Sequence, residues 1–362
     1  MNVNTLFNDS KAVVFQVLFV FSVVDYGQDS QSSAIAKTPK NNLQEGSSIA
    51  LEDKLSAIGE QIVKEDTFSL GKGYLIQVPA DHPTVPSTYQ GAFFGVPNNG
   101  TMNLEMKAGF NIVGNPYPSG INVHHFIDSN PTITGMVYFL KKNGADVSST
   151  SYTTLTKNAY VSNGDKSEDA SFGYFEAGDE SNWFINVAQG FFVNASNESK
   201  LLFTNTMRRI SKANPDFKNS KSAAHKSSLY WLNLNSEYGP YSQMAVGYSS
   251  SGTFAVDKGI DGKNINLDFY LTSLIDRDEY AIQGRPESTL SDIVPLSYKV
   301  LTSGKYTIVL DHAIGIFEDN SQVIYLKDKK KNKLHNLSSG PYSFVSKAGT
   351  FENRFEVVYK TH

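Results

Sequence analysis

The stretch Gly109-Phe-Asn-Ile-Val-Gly-Asn-Pro-Tyr-Pro-Ser-Gly-Ile121 constrains the fold more than any other. Ile112 and Val113 end a strand, and Gly114 to Gly120 force a sharp, rigid departure from it. Pro116 and Pro118 fix φ and remove backbone donors, while the glycines admit conformations that other residues avoid. Asn115 precedes a proline, which pushes it towards extended backbone, and its amide is suited to bonding nearby backbone. This stretch builds structure and carries no reactive constellation.

Short strands and polar turns surround it. Tyr74, Ile76 and Val78 alternate with Leu75, Gln77 and Pro79. Further strands are expected at 91–96, 102–106, 110–114, 135–140, 183–186, 190–194 and 201–205. Pro97-Asn-Asn-Gly100, Lys142-Asn-Gly144 and Ser162-Asn-Gly-Asp165 are turn signals. A short helix is expected near 123–128. The Ser- and Gly-rich tract 143–181 reads as a surface excursion, with scattered acids that keep it solvated. Strands resume at 230–234, 243–248, 268–271, 279–283, 294–300, 304–311, 323–328, 341–345 and 354–359. Tyr306, Ile308 and Leu310 alternate with Thr307, Val309 and Asp311, as in a strand with one buried face.

The N-terminal part differs. Ala12 to Val24 is the one long apolar run, of the length of a signal-peptide core and short for a helical membrane span. A buried strand is the alternative. Residues 28–66 read as a polar linker followed by an amphipathic helix, with Leu51, Leu55, Ile58 and Ile62 at helical spacing. Residues 211–228 are polar and mildly basic, the composition of an interdomain linker. The expected organisation is therefore a signal peptide at 1–27, linker and helix at 28–66, and a first domain at 67–210. A linker at 211–228 leads to a second domain at 229–362. The fold class is all-β: two tandem antiparallel β-sandwiches, jelly-roll-like, after a short leader and helical segment.

Composition limits the chemistry. The 362 residues include 19 Tyr and 23 Phe, with only 19% charged residues, a balance that suits aromatic cores and polar, uncharged loops. A net charge of −4 gives no nucleic-acid footprint, and the lack of Cys removes disulfides, thiolate metal sites and a cysteine nucleophile.

Few residues suggest a site. Asp257, Asp261 and Asp268 fall at the first, fifth and twelfth positions of a loop with Gly262 at the sixth, which partly mimics an EF-hand and makes calcium the candidate cofactor. Gly259 at the third position and Asp in place of Glu at the last break that pattern, and a turn held by Asp side chains competes with it. His124-His125 are adjacent and face apart, so packing or capping outweighs joint ligation. Arg285 and Arg354 suit either a ligand carboxylate or an internal acid such as Asp292 or Glu356. Asp311-His312 looks like a triad fragment, but no nucleophile elbow accompanies it. Among loop aromatics, Tyr89, Phe93, Phe94, Tyr117, Tyr238 and Tyr241 are candidate glycan contacts, with core packing the competing role.

Several motifs, taken together and in order, resemble the C-terminal β-rich region of flavobacterial surface proteins exported by the type IX secretion system. In the first half they are Gly71-Lys-Gly-Tyr-Leu-Ile76, Gly114-Asn-Pro-Tyr-Pro-Ser119, Gln189-Gly-Phe-Phe-Val193 and Phe203-Thr-Asn-Thr-Met-Arg208. In the second they are Tyr230-Trp-Leu-Asn-Leu234, Ala281-Ile-Gln-Gly-Arg285, Val294-Pro-Leu296 and Arg354-Phe-Glu-Val-Val-Tyr359. The resemblance spans about residues 67–360. It implies an exported, cell-surface or extracellular protein with no catalytic residues in this module. In that family such a region precedes a C-terminal sorting domain. Here the sequence stops at Lys360-Thr-His362, so contact with the secretion machinery is expected only through a sorting domain in a longer protein. The expected role is structural, adhesive or glycan-binding, with polysaccharide or other surface proteins as partners. The alternative is a polysaccharide-active enzyme, a glycoside hydrolase or lyase with acidic groove residues.

Overall fold

The computed structural model describes residues 17–19, 70–76, 96–142, 150–163, 172–209, 228–237, 241–287, 291–318 and 321–359. The expected helix at 49–63 and nearly all of the linker at 211–228 lie outside them. Within the N-terminal apolar run, β1 (Val17–Phe19) pairs antiparallel with β2 (Tyr74–Ile76). The chain is all-β, with one α-helix among the described residues, and no helix there is long and apolar enough to cross a membrane.

The first half runs through β3 (Met102–Met106), β4 (Gly109–Gly114), β5 (Gly120–Asn122), α1 (Val123–Ser129) and β6 (Ile133–Lys142). It continues with β7 (Thr150–Leu155), β8 (Tyr160–Val161), β9 (Gly173–Tyr174), β10 (Phe184–Ile185), β11 (Gly190–Ala195), β12 (Ser199–Phe203) and β13 (Arg208–Arg209). A five-stranded sheet, β4-β11-β6-β7-β8, faces the smaller groupings β13-β5-β10-β9 and β12-β3. Between them lie Phe126, Phe139, Phe191, Phe203, Trp183 and Tyr117.

The proline-rich turn acts as expected. Asn115 donates from its amide to the carbonyls of Ser119 and Asn186 and accepts from Tyr117 N. It thereby ties the departure from β4 to the segment before β11. The expected helix appears as α1, capped by Asn122, whose side chain accepts from His125 N.

The 143–181 tract is not a surface excursion throughout. Residues 151–156 are all buried, and β7 pairs with β6 along its length. Thr and Tyr supply β-branched and aromatic shape without an aliphatic stripe, so the hydrophobic period that marks other strands is absent.

The second half contains β14 (Ser228–Ser236), β15 (Tyr241–Tyr248), β16 (Gly262–Lys263), β17 (Tyr270–Ile275), β18 (Asp278–Arg285) and β19 (Ile293–Val300). After them come β20 (Gly304–Ile314), β21 (Tyr325–Asp328), β22 (Lys333–Asn336), β23 (Tyr342–Ser346) and β24 (Gly349–Val358). All eleven belong to one hydrogen-bonded sheet, in the order β22-β21-β24-β19-β17-β18-β15-β14-β20-β23 with β16 added on β18. The pairings are antiparallel except β15 with β18.

This sheet curls until it is nearly a closed barrel. Phe344 on its last strand packs 4.8 Å from Phe355 on β24, and both ends contribute to one core with Leu232, Leu296 and Tyr298. Side chains stitch the seam. Arg354 donates to Val345 O at 3.0 Å and to Asp328 Oδ2 at 3.1 Å, while Tyr342 Oη donates to Asp328 Oδ2 at 3.0 Å.

The two halves meet over a broad junction. Ala159 and Val161 of the first half pack with Leu229, Trp231, Ala245, Ala281 and Ile282 of the second. Asn266 accepts from Tyr152 N at 2.7 Å and donates to Tyr152 O at 3.0 Å. Tyr138 Oη donates to Lys263 O, and Lys157 N to Gly259 O. The loop 257–268 thus lies against the first half along much of its length.

Candidate functional site

A β-bulge in β20 builds the most distinctive polar surface. Trp231 lies opposite His312 and Leu232 opposite Leu310, so Asp311 is an extra residue in the ladder. Leu310 and Ala313 both pack against the inner core. Asp311 and His312 between them therefore both face outward, where a regular strand would send them to opposite sides.

The His312 ring stacks on the Trp231 indole, 4.1 Å between centroids and 14° from parallel. Its Nδ1 lies 2.8 Å from Asp311 Oδ2. An ionised carboxylate only accepts, so this contact assigns the proton to Nδ1 and leaves Nε2 as an acceptor in the neutral ring.

A second layer fixes the carboxylate. Asn233 Nδ2 donates to Asp311 Oδ1 at 2.7 Å, and Gln243 Nε2 donates to Oδ2 at 3.2 Å. Asn233 Oδ1 accepts from Gln243 Nε2 and from Tyr241 Oη. Asn233 and Gln243 are buried, whereas the Asp311 side chain is 25% exposed and that of His312 46%. The exposed layer thus rests on a fixed amide floor.

The first half buttresses this floor. Gln243 Oε1 accepts from Ser162 N, Gln243 N donates to Asn163 Oδ1, and Trp231 Nε1 donates to Tyr160 O. Lys141, itself buried, donates to Ser162 Oγ.

Other residues singled out by sequence have different fates. Tyr241 joins the bulge face. Tyr117 is a correction, since it is buried at 2% exposure and its hydroxyl donates to Gly100 O. Burial pushes that phenol up to about 12, with Arg208 pulling the other way. Of its two candidate roles, glycan contact and core packing, the structure shows core packing, because the proline turn that holds Tyr117 folds it inward. Tyr89, Phe93, Phe94 and Tyr238 lie outside the described residues.

The three loop aspartates do not converge. Asp257 accepts at its carboxylate from Thr253 N and Thr253 Oγ1. Asp261 is 1% exposed and accepts from Asp257 N and Gly284 N, and Asp268 is exposed. Among the described residues no group of three or more His, Asp or Glu side chains has metal-binding geometry. Burial is the main force pushing Asp261 up to about 6, with neighbouring Asp257 adding to it and the two backbone donors opposing.

Arg285 is bonded to Asp292 by two contacts, at 2.5 and 2.6 Å, and its guanidinium also lies over the Phe254 ring. Tyr248 Oη donates to Asp292 and shares a hydrogen bond of 2.6 Å with Tyr359 Oη, which also bonds Tyr230 Oη. Of the two roles open to Arg354, a ligand carboxylate or an internal acid, the structure shows the internal acid, and that acid is Asp328. Glu356 pairs with Lys327 and Lys329. The two histidines diverge, His124 Nε2 meeting Lys157 O and His125 Nδ1 meeting Thr206 O.

Sequence reasoning passed over Trp231, Asn233 and Gln243. The available signal was a shift of phase in β20: apolar residues at 306, 308 and 310 are followed by Ala313, a step of three where the strand period is two.

A family profile described as "Domain of unknown function (DUF8693)" matches residues 32–359. A search of curated proteins and a search of solved structures each gave no match.

Proposed function

The chain belongs to the DUF8693 family, and we propose that it is a non-catalytic, exported surface module that binds neutral glycans on the Asp311–His312 face. The carrying observation is the bulge itself, which sets a carboxylate, an imidazole and the Tyr241 phenol over a fixed amide floor. Sugars offer hydroxyls that both donate and accept, and planar polar groups held in place suit them, as does a ring face for their C–H surfaces. Asp311 supplies an acceptor, while His312 Nε2 supplies an acceptor beside an exposed ring.

Export to the cell surface or the medium rests on the apolar run 12–24 and on the resemblance to type IX cargo. Polysaccharide and other surface proteins are the partners in this reading, and the secretion machinery enters only through a sorting domain in a longer protein. Each half is read as an antiparallel, jelly-roll-like sandwich, the second rolled nearly shut. An adhesive role gains support from the junction, where Tyr160, Ser162 and Asn163 of the first half brace the binding face of the second.

A glycan array probed with the full chain, with calcium and with chelator, tests this reading, alongside a reducing-sugar assay on the same polysaccharides. Selective binding of neutral glycans in both buffers, without sugar release, is the expected result. A flat array, or steady release of reducing ends, overturns it.

A further inference from the structure

The seam of the second sheet carries a basic surface separate from the Asp311–His312 face. The hairpin from β21 to β22 reads Lys327-Asp-Lys-Lys-Lys-Asn-Lys333 in a chain whose net charge is −4. Lys327 and Lys329 are matched by Glu356. Lys330, Lys331 and Lys333 are exposed and have no acidic partner within ion-pair distance among the described residues.

The same holds for Lys305 and Lys347 across the seam. Lys305 is opposite Val345 in the β20–β23 ladder, and Val345 O is the carbonyl that Arg354 reaches from β24. Basic side chains from three segments therefore border one line on the surface.

The hairpin tip is held from within. Asp328 is fully buried, and its Oδ1 accepts from Lys330 N at 3.0 Å and Lys331 N at 3.2 Å. Its Oδ2 takes Arg354 and Tyr342. One carboxylate thus fixes the turn that presents the lysines and locks that turn to the seam. Lys333 lies over the Tyr342 ring, 5.6 Å from its centroid. Unmatched charges on a fixed backbone repel one another, and an incoming polyanion relieves that repulsion without ordering the loop.

We propose that this lysine-bordered seam binds an acidic polysaccharide, with its sulfate or carboxylate groups meeting Lys330, Lys331, Lys333, Lys305 and Lys347. Lysines are point charges that suit repeating anions spaced along a polymer, whereas arginine forks suit bidentate recognition. Among the described residues no aromatic ladder for stacking bases lines the tip, and the large apolar side chains exposed along the tip and seam are the separate Leu334, at 36%, and Val345, at 69%. Those features weigh against single-stranded nucleic acid and a lipid surface. The inference stands apart from neutral-glycan binding on the Asp311–His312 face.

The test measures binding of the full chain to immobilised heparin and alginate at several salt concentrations. Duplex DNA, anionic phosphatidylserine vesicles and neutral dextran are run in parallel. The variant Lys330→Glu/Lys331→Glu is compared with Lys107→Glu/Lys200→Glu, which makes the same charge change on the first half. The expected result is saltable binding to an acidic polysaccharide, reduced at least about tenfold by the hairpin pair and much less by the control pair. Equal loss in both pairs, no retention of the unaltered chain, or equal or stronger binding to DNA or vesicles overturns it. Because the neutral-glycan array is read separately, either proposal can fail while the other survives.

Discussion

A Cβ added to Gly135 would stand 2.6 Å from the Cα and from the N of Gly259. Gly135 lies in β6 of the first half and Gly259 in the loop that leads into β16 of the second. Both have positive φ, +85° and +75°. A side chain on Gly135 therefore has no room, and the obstacle is the Gly259 backbone, which cannot swing aside.

Gly135→Ala is therefore expected to lower stability by about 2–4 kcal/mol, from left-handed strain and overpacking together. Gly259→Ala should cost less, because its added Cβ meets only the Lys157 Cε at 3.4 Å and an Ile127 methyl at 3.7 Å. Thermal unfolding of the two variants checks the order. Equal, small losses would mean that the halves do not meet as tightly as this contact requires.

Asp292 and Arg285 form a buried pair, their side chains 5% and 7% exposed. Asp292→Ala leaves a buried guanidinium beside two tyrosine hydroxyls and is expected to cost about 3–5 kcal/mol. Asp292→Leu combined with Arg285→Met removes both charges and should recover much of that loss. Urea unfolding of the single and double variants measures the coupling. A double variant as unstable as the sum of its parts would contradict the buried pairing.

Asp261 gives a signed pH dependence. Its folded-state value is pushed up to about 6, from 3.8, chiefly by burial. The fold therefore favours its neutral form. That contribution is fully present below about pH 3.8 and is lost as the pH rises through about 6. Asp261→Asn should flatten this part of the stability profile, measured by unfolding from pH 3.5 to 7. Because Thr253 N and Oγ1 already occupy the Asp257 oxygens, and the Asp257 and Gly284 amides those of Asp261, added calcium or chelator is expected to leave Tm unchanged. A calcium-dependent rise in Tm that vanishes in Asp261→Asn would restore the metal reading of this loop.

Much of the strand layout was legible because its residues alternate. Ile308 and Leu310 in β20, and Val294 and Leu296 in β19, mark the buried face directly. The strand β7 escaped because Thr153 and Thr154, both fully buried, look polar in sequence. Arg285 and Asp292 were legible as a pair, since they lie only seven residues apart in the sequence. Arg354 and Asp328 were not, because only the curling of the whole sheet brings β24 and β21 to a common seam. The same limit hid the face around Asp311. Its neighbours Asn233 and Gln243 come from other strands, and no one-dimensional spacing encodes a bulge that turns two consecutive residues outward.

The most direct test of the glycan-binding claim uses Trp231, which stacks beneath His312. The sequence has two tryptophans, so a Trp183→Phe protein reports from Trp231 alone. Titrating it with neutral oligosaccharides, and repeating the titration in a Trp183→Phe/His312→Ala protein, reads the face itself. The account predicts a saturable change in emission that is lost, or weakened at least about tenfold, without His312 while Tm stays within about 2 °C. Emission that ignores every neutral oligosaccharide, or that changes equally without His312, would contradict it.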